Sequence, residues 1–167
     1  MKEQLKVALA DARSLWFLCS GNVVRSAFAE VYARKRRCPI PVHSAATRYR
    51  NGAMFPETVR ELTARGTGRI SIERFVPVHL DDVAKDVRSN DVFLGMTQEH
   101  VDACLRHVDT PRELSERVFL LGDAHWVTEE ILDPVMEGAD FARTFDTIAK
   151  AVESVVSELK ATRETVA

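Results

Sequence analysis

The string Cys19-Ser20-Gly21-Asn22-Val23-Val24-Arg25-Ser26 holds the residue types needed to bind and attack an oxyanion. A cysteine precedes a Gly-Asn turn, and an arginine follows where a helix is about to open. A tight loop of this kind can turn successive backbone N–H groups inward as an anion nest. The helix start adds orphan amide donors and the positive end of its dipole. Gly21 is expected to supply the unusual backbone angles, and Asn22 tolerates the left-handed region better than most residues. The same field favours a thiolate on Cys19. Arg25 can grip two oxygens at once through its planar fork, which lysine cannot do. Ser26 is placed to donate a hydrogen bond to the thiolate. A phosphate held here would have its phosphorus over the sulfur.

Such a loop needs a strand before it and a helix after it. Ser14–Cys19 is an apolar run that stops at a Ser-Gly-Asn cluster, as a buried strand would. From Ser26 the apolar residues Phe28, Val31 and Tyr32 recur at helical spacing, and Arg34-Lys35-Arg36-Arg37 suits a helix C-terminus. Further strands are expected at Pro41–Ala45, Asp91–Gly95 and Val118–Leu121. Helices are expected at Pro56–Thr63, Asp81–Arg88, Gln98–His107 and Ala139–Leu159, the last with an apolar stripe of Phe141, Phe145, Ile148, Val152 and Val155. Strands joined through helices predict a three-layer α/β fold, a central four-stranded parallel sheet flanked by helices. The phosphate-binding loop then joins the first strand to the first helix of the domain. Ligands in such folds bind at the carboxyl ends of the strands, which is where Cys19 falls. Residues 1–13 read as a weakly helical N-terminal extension, 14–160 as a single domain and 161–167 as a C-terminal tail.

The chain has 167 residues, enough for one domain with a core that needs neither disulfide nor metal. Lys plus Arg is 23 against 25 for Asp plus Glu, which argues against a dedicated nucleic-acid binder. The longest apolar run, Leu15–Cys19, is far too short to span a bilayer, and no signal peptide is evident. Cys19, Cys38 and Cys104 form no CxxC pair, so a reduced, cytoplasmic chain is expected. A monomer is the default. The five histidines show no metal-ligand spacing, and structural or surface roles are expected for all of them. A P-loop NTPase is excluded because GxxxxGK[ST] is absent.

The Cx5RS string with its internal Gly-Asn resembles that of the low-molecular-weight protein-tyrosine phosphatases. Three further segments carry the likeness, in order: Ser44-Ala45-Ala46-Thr47, Asp91–Thr97, and Ile131-Leu132-Asp133-Pro134 ahead of the last helix. The resemblance implies that Cys19 is the nucleophile of a phosphocysteine mechanism and Asp133 the general acid and then base. It implies that the Ser20, Gly21, Asn22, Val23, Val24 and Arg25 amides, with the Arg25 side chain, hold the phosphoryl group. Asn22, Ser26 and Ser44 would form a supporting network, Pro134 would shape the acid loop, and no metal or other cofactor is needed. The implied partner is a phosphotyrosine-containing protein, a tyrosine kinase among the candidates, with no nucleic acid or membrane involved.

The chain also departs from the pattern. Val24 stands where many relatives have a second cysteine, so a protective disulfide with Cys19 is not expected. A histidine that often joins the network is missing, with Arg74 near its place. Val135 replaces a common aromatic wall after Asp-Pro, leaving Tyr49, and more weakly Trp126, to line the cleft. Val23, rather than the threonine of phosphoarginine-directed relatives, favours an aryl phosphate. Buried structural roles are expected for Cys38 and Cys104. An arsenate reductase would need cysteines that the stretch Leu94–Thr97 lacks. A catalytically silent phospho-binding module would need neither Cys19 nor Asp133.

Overall fold

The computed structural model describes residues 1–107, 115–125 and 129–164. Four strands, β1 (Ser14–Cys19), β2 (Val42–Ala46), β3 (Asp91–Gly95) and β4 (Val118–Leu120), pair in parallel in the order β2-β1-β3-β4. β1 is central and buried along its whole length, so it reads as a continuous apolar run. Its side chains alternate: Leu15, Phe17 and Cys19 enter the larger core, while Trp16 and Leu18 enter a smaller one with Ala45, Leu80, Phe93 and Cys104.

Helices cover both faces. α2 (Arg25–Lys35) packs against the long final helix, here α7 (Phe141–Glu164), with Phe28 and Phe145 ring centroids 4.8 Å apart. α6 (Gln98–His107) and the short α5 (Leu80–Val83) lie with the smaller core. The chain runs from β1 outward to β2 and then back across β1 to β3. The carboxyl end of β1 therefore stands at the reversal of strand order, where a crevice opens.

Several elements differ in detail from expectation. The expected helix over 81–88 is α5 followed by a 3₁₀ turn at Ala84–Asp86, and a short helix α4 (Arg69–Glu73) forms with none of its residues buried. That lack of a buried stripe is why α4 gave no periodic signal. α7 runs on to Glu164, through much of the segment expected as a tail. Residues ahead of β1 form α1 (Glu3–Ala10), whose Leu5 and Leu9 are fully buried in the larger core. Two arginines tie it down: Arg117 donates to the Ala8 carbonyl at 2.6 Å, and Arg163 to that of Ala12 at 2.7 Å. Leu9→Ala should therefore lower stability by about 2–4 kcal/mol, the usual cost of emptying a core leucine site, read from the midpoint shift in urea denaturation.

Candidate active site

The loop after β1 is held by its carbonyls. That of Cys19 accepts from Thr47 N at 2.9 Å, and that of Ser20 from Arg48 N at 3.1 Å and Tyr49 N at 2.9 Å. Asn51 Nδ2 donates to the Gly21 carbonyl at 2.8 Å. The Val23 carbonyl accepts from Phe55 N at 3.0 Å and Thr58 Oγ1 at 3.1 Å. A peptide plane whose oxygen is drawn outward turns its N–H the other way. The segment from Thr47 to Thr58, which ends in helix α3 (Pro56–Ala64), thus acts as an outer clamp that aims amides at the loop centre.

Asn22, not Gly21, supplies the left-handed residue of the turn, with φ of 54°. Gly21 has no positive φ; its small size matters because a Cβ there would lie 2.8 Å from Asn51 Nδ2, the atom that clamps its carbonyl. The expectation that Gly21 provides the unusual angles is corrected accordingly. Asparagine can do so because its side chain compensates the αL cost with local hydrogen bonds.

Those bonds build the network behind the cysteine. Asn22 Oδ1 accepts from Val78 N at 2.9 Å, which orients the amide so that Nδ2 donates to Ser26 Oγ (2.9 Å) and Ser44 Oγ (2.7 Å). Ser44 in turn donates to the buried Glu30 carboxylate, which pairs with Arg34 at 2.6 Å. Burial pushes the Glu30 carboxyl above its ordinary value, against the lowering pull of Ser44 and Arg34. Ser26, accepting from Asn22, has its Oγ 2.9 Å from Cys19 Sγ, close enough to donate its proton to a thiolate there. The Asn22 amide adds a second donor to that sulfur at 3.3 Å. The backbone N–H of Val78 thus fills the acceptor on Asn22, while Arg74 is exposed.

Arg25 opens α2 and is 2% exposed. Its Nη1 donates to the Ile131 carbonyl at 2.8 Å and its Nη2 to Asp133 Oδ2 at 2.7 Å, while its buried Nε finds no partner among the described residues. Asp133 is pinned by its other oxygen, which accepts from Val135 N at 2.8 Å and Met136 N at 3.3 Å across the turn at Pro134. Cys19, Ser20, Gly21, Val23, Val24 and Tyr49 line one cleft with Asp133, Val135 and Met136, a space of about 200 Å³. Tyr49 is 41% exposed and carries the Arg48 guanidinium 5.2 Å over its ring. Asn51 and Phe55 complete the lining, and Trp126 lies outside the described residues.

One residue of the site is a histidine for which the sequence predicts only a structural or surface role. His100 is 1% exposed at the third position of α6, and its Nε2 lies 3.0 Å from Ser20 Oγ. Burial first, and then the Arg25 charge, lower its pKa to about 3 against the opposing pull of Asp133. A sequence signal existed in Thr97-x-x-His100, the spacing of a capping box with histidine in the place of glutamate. By contrast, burial pushes the Cys104 thiol up to about 12 and raises that of Cys38. At Cys38 burial outweighs the opposing pull of the Ile40 backbone, Arg163 and Lys160, and at Cys104 burial acts alone.

A buried cysteine facing inward amides, a buried arginine and a carboxylate at the rim can bind a tetrahedral oxyanion and bring a nucleophile and a proton carrier to it. The family model described as "Low molecular weight phosphotyrosine protein phosphatase" matches residues 14–165. The chain belongs to this family. Low-molecular-weight phosphatases of known structure share its fold. The tyrosine phosphatase AmsI of Erwinia amylovora superposes with a TM-score of 0.71 at 20% identity, covering 87% of this chain and 92% of that one. Wzb from Escherichia coli K30, in complex with sulphate, gives 0.70 at 20% identity over 89% and 99%. The YwlE arginine phosphatase from Geobacillus stearothermophilus gives 0.72 at 19% identity over 89% and 94%. No curated protein sequence matches. The helix α1 precedes the part that the family model covers.

The neutral burial of His100 has a consequence for stability. Its pKa falls from about 6.5 unfolded to about 3 folded, so below pH 6.5 the unfolded chain binds the extra proton and stability drops as the pH falls. Relative to His100→Gln, the wild type should lose about 1.4 kcal/mol more per pH unit between about pH 6 and 4, measured by urea denaturation at each pH.

Proposed function

We propose that this phosphatase hydrolyses aryl phosphate monoesters, and phosphotyrosine in proteins in particular, through a phosphocysteine on Cys19. The observation that carries the reading is the pairing of Cys19, with Ser26 Oγ and the Asn22 backbone N–H at its sulfur, with Asp133 across a cleft walled largely by apolar side chains. The Cys19 thiolate attacks phosphorus in line; the S–P bond forms as the P–O bond to the phenol breaks. Asp133 gives its proton to the departing oxygen. It then takes a proton from the water that attacks phosphorus, and the thiolate leaves with inorganic phosphate released.

The loop amides and Arg25 stabilise charge spread over the equatorial oxygens. Arg25 starts from an ion pair with Asp133, so the phosphoryl oxygens compete with that carboxylate for the guanidinium. The unpaired Nε is a donor free for that exchange among the described residues. As Arg25 shifts toward the dianion, Asp133 loses a cationic neighbour and gains an anionic one.

The substrate class rests on the walls. Val23, Tyr49, Phe55 and Met136 offer flat and aliphatic surface to a phenyl ring. Neighbours of equal structural similarity include tyrosine and arginine phosphatases, so the fold does not separate the two chemistries. A guanidino phosphate would bring hydrogen-bond donors to a cleft whose exposed surface is mostly apolar.

The test is hydrolysis of p-nitrophenyl phosphate in EDTA between pH 5 and 7. Cys19→Ser should abolish turnover, and Asp133→Ala should lower kcat about 10²-fold, within the usual range for a general acid. Arg25→Lys should cost about 10²–10³-fold, as loss of a transition-state donor does. Turnover surviving in Cys19→Ser would overturn the mechanism, and a folded wild type that binds vanadate without turnover would mark a binding module. Phosphotyrosine and phosphoarginine peptides compared by kcat/KM decide the substrate class.

A further inference from the structure

His100 reaches the site through Ser20, and the direction of each hydrogen bond can be assigned. The Thr97 backbone N–H donates to His100 Nδ1 at 3.0 Å, so that nitrogen is the bare acceptor of a neutral ring. The only ring proton is then on Nε2, which donates to Ser20 Oγ at 3.0 Å. Arg25 Nη2 approaches the same oxygen at 3.5 Å. With both lone pairs of Ser20 Oγ facing donors, its hydroxyl proton must point in the remaining direction, and Ser20 lines the cleft.

The imidazole is held firmly. It occupies the first turn of α6, which packs so closely on the end of β3 that a Cβ on Gly95 would lie 3.1 Å from Val101 N and 3.2 Å from His100 Cβ. A protonated ring would place a second cation beside Arg25 and would put a proton on Nδ1, against the Thr97 amide. The site therefore holds a neutral donor of fixed direction, one that does not switch with pH in the working range.

We propose that His100 is a positioning residue for phosphoryl transfer: it fills one lone pair of Ser20 Oγ so that the Ser20 hydroxyl donates to a phosphoryl oxygen beside Arg25. This rests on the phosphatase reading, but its binding arm can be tested without turnover. The role belongs to Ser20 and His100 together, since a loop with a non-hydroxyl residue after the cysteine would give the imidazole nothing to orient.

Two substitutions separate the two ring nitrogens. Asparagine at position 100 keeps an acceptor near Nδ1 for the Thr97 amide but cannot reach Ser20. Glutamine carries a donor near Nε2 and can reach it. The experiment measures kcat and KM for p-nitrophenyl phosphate, and the affinity for inorganic phosphate by calorimetry, in wild type, His100→Asn, His100→Gln, Ser20→Ala and His100→Asn/Ser20→Ala. The expected result is a fall in kcat/KM of about tenfold for Ser20→Ala and for His100→Asn, the size of one lost hydrogen bond to a charged group. The double variant should be no worse than Ser20→Ala, His100→Gln should keep more activity than His100→Asn, and phosphate affinity should follow the same order.

Multiplicative losses in the double variant, or equal losses for Asn and Gln tracking only a drop in Tm, would overturn the proposal. If the wild type binds phosphate but turns nothing over, the phosphatase reading fails while the phosphate affinities still decide the Ser20–His100 pair.

Discussion

Everything at the site depends on which way the peptide planes between Cys19 and Val23 face. A short loop cannot choose that orientation alone, because its amides and carbonyls are equally polar and equally drawn to water. Here the choice is made from outside, by donors on the segment from Thr47 to Thr58 that draw the carbonyls of Cys19, Ser20, Gly21 and Val23 outward. The parallel pairing of Cys19 with Ala46 brings that segment alongside, since β2 ends level with β1. Sheet register thus decides loop electrostatics. A slip of one residue would misplace every clamp and turn the nest away from the sulfur.

Behind the loop, polarity is arranged in one direction. The Val78 amide fixes Asn22, Asn22 donates to Ser26 and Ser44, and the chain ends on Glu30, which only accepts when ionised. Ser44 commits its proton to Glu30, and Ser26 Oγ is left with a proton to offer a thiolate 2.9 Å away. Burying Glu30 is costly, and its raised pKa records that cost. The return is a nucleophile whose donors are already in place before a substrate arrives, which is what electrostatic preorganisation means at the level of single atoms.

On the front side the groups are in opposition. Arg25 is nearly inaccessible and is divided between Ile131, Ser20 and Asp133, while Nε has no partner among the described residues. Such a buried cation tolerates an arriving anion well, because the Coulomb gain is large where water is scarce. The neutral His100 fits the same logic, since a third movable charge beside Arg25 and Asp133 would blur the exchange between them.

Much of this was legible in the sequence. The continuous apolar run at Ser14–Cys19, the Gly-Asn turn and the arginine at a helix start determined a strand, a loop and a helix from local chemistry alone, and the alternation of strands and helices determined a parallel three-layer fold. Cys104 is buried as its apolar character suggests, whereas Cys38, next to the Arg34–Arg37 run, is only half-buried. Tertiary structure alone decided the rest. Asn22 rather than Gly21 takes the positive φ because Val78, Ser26 and Ser44, distant in sequence, hold its amide. Asn51 clamps Gly21 from thirty residues away, and His100 reaches Ser20 across eighty. Hydrogen-bond direction is a property of pairs. Composition and periodicity report only how each residue suits its own segment, and they carry no information about which donors a fold will bring to which acceptor.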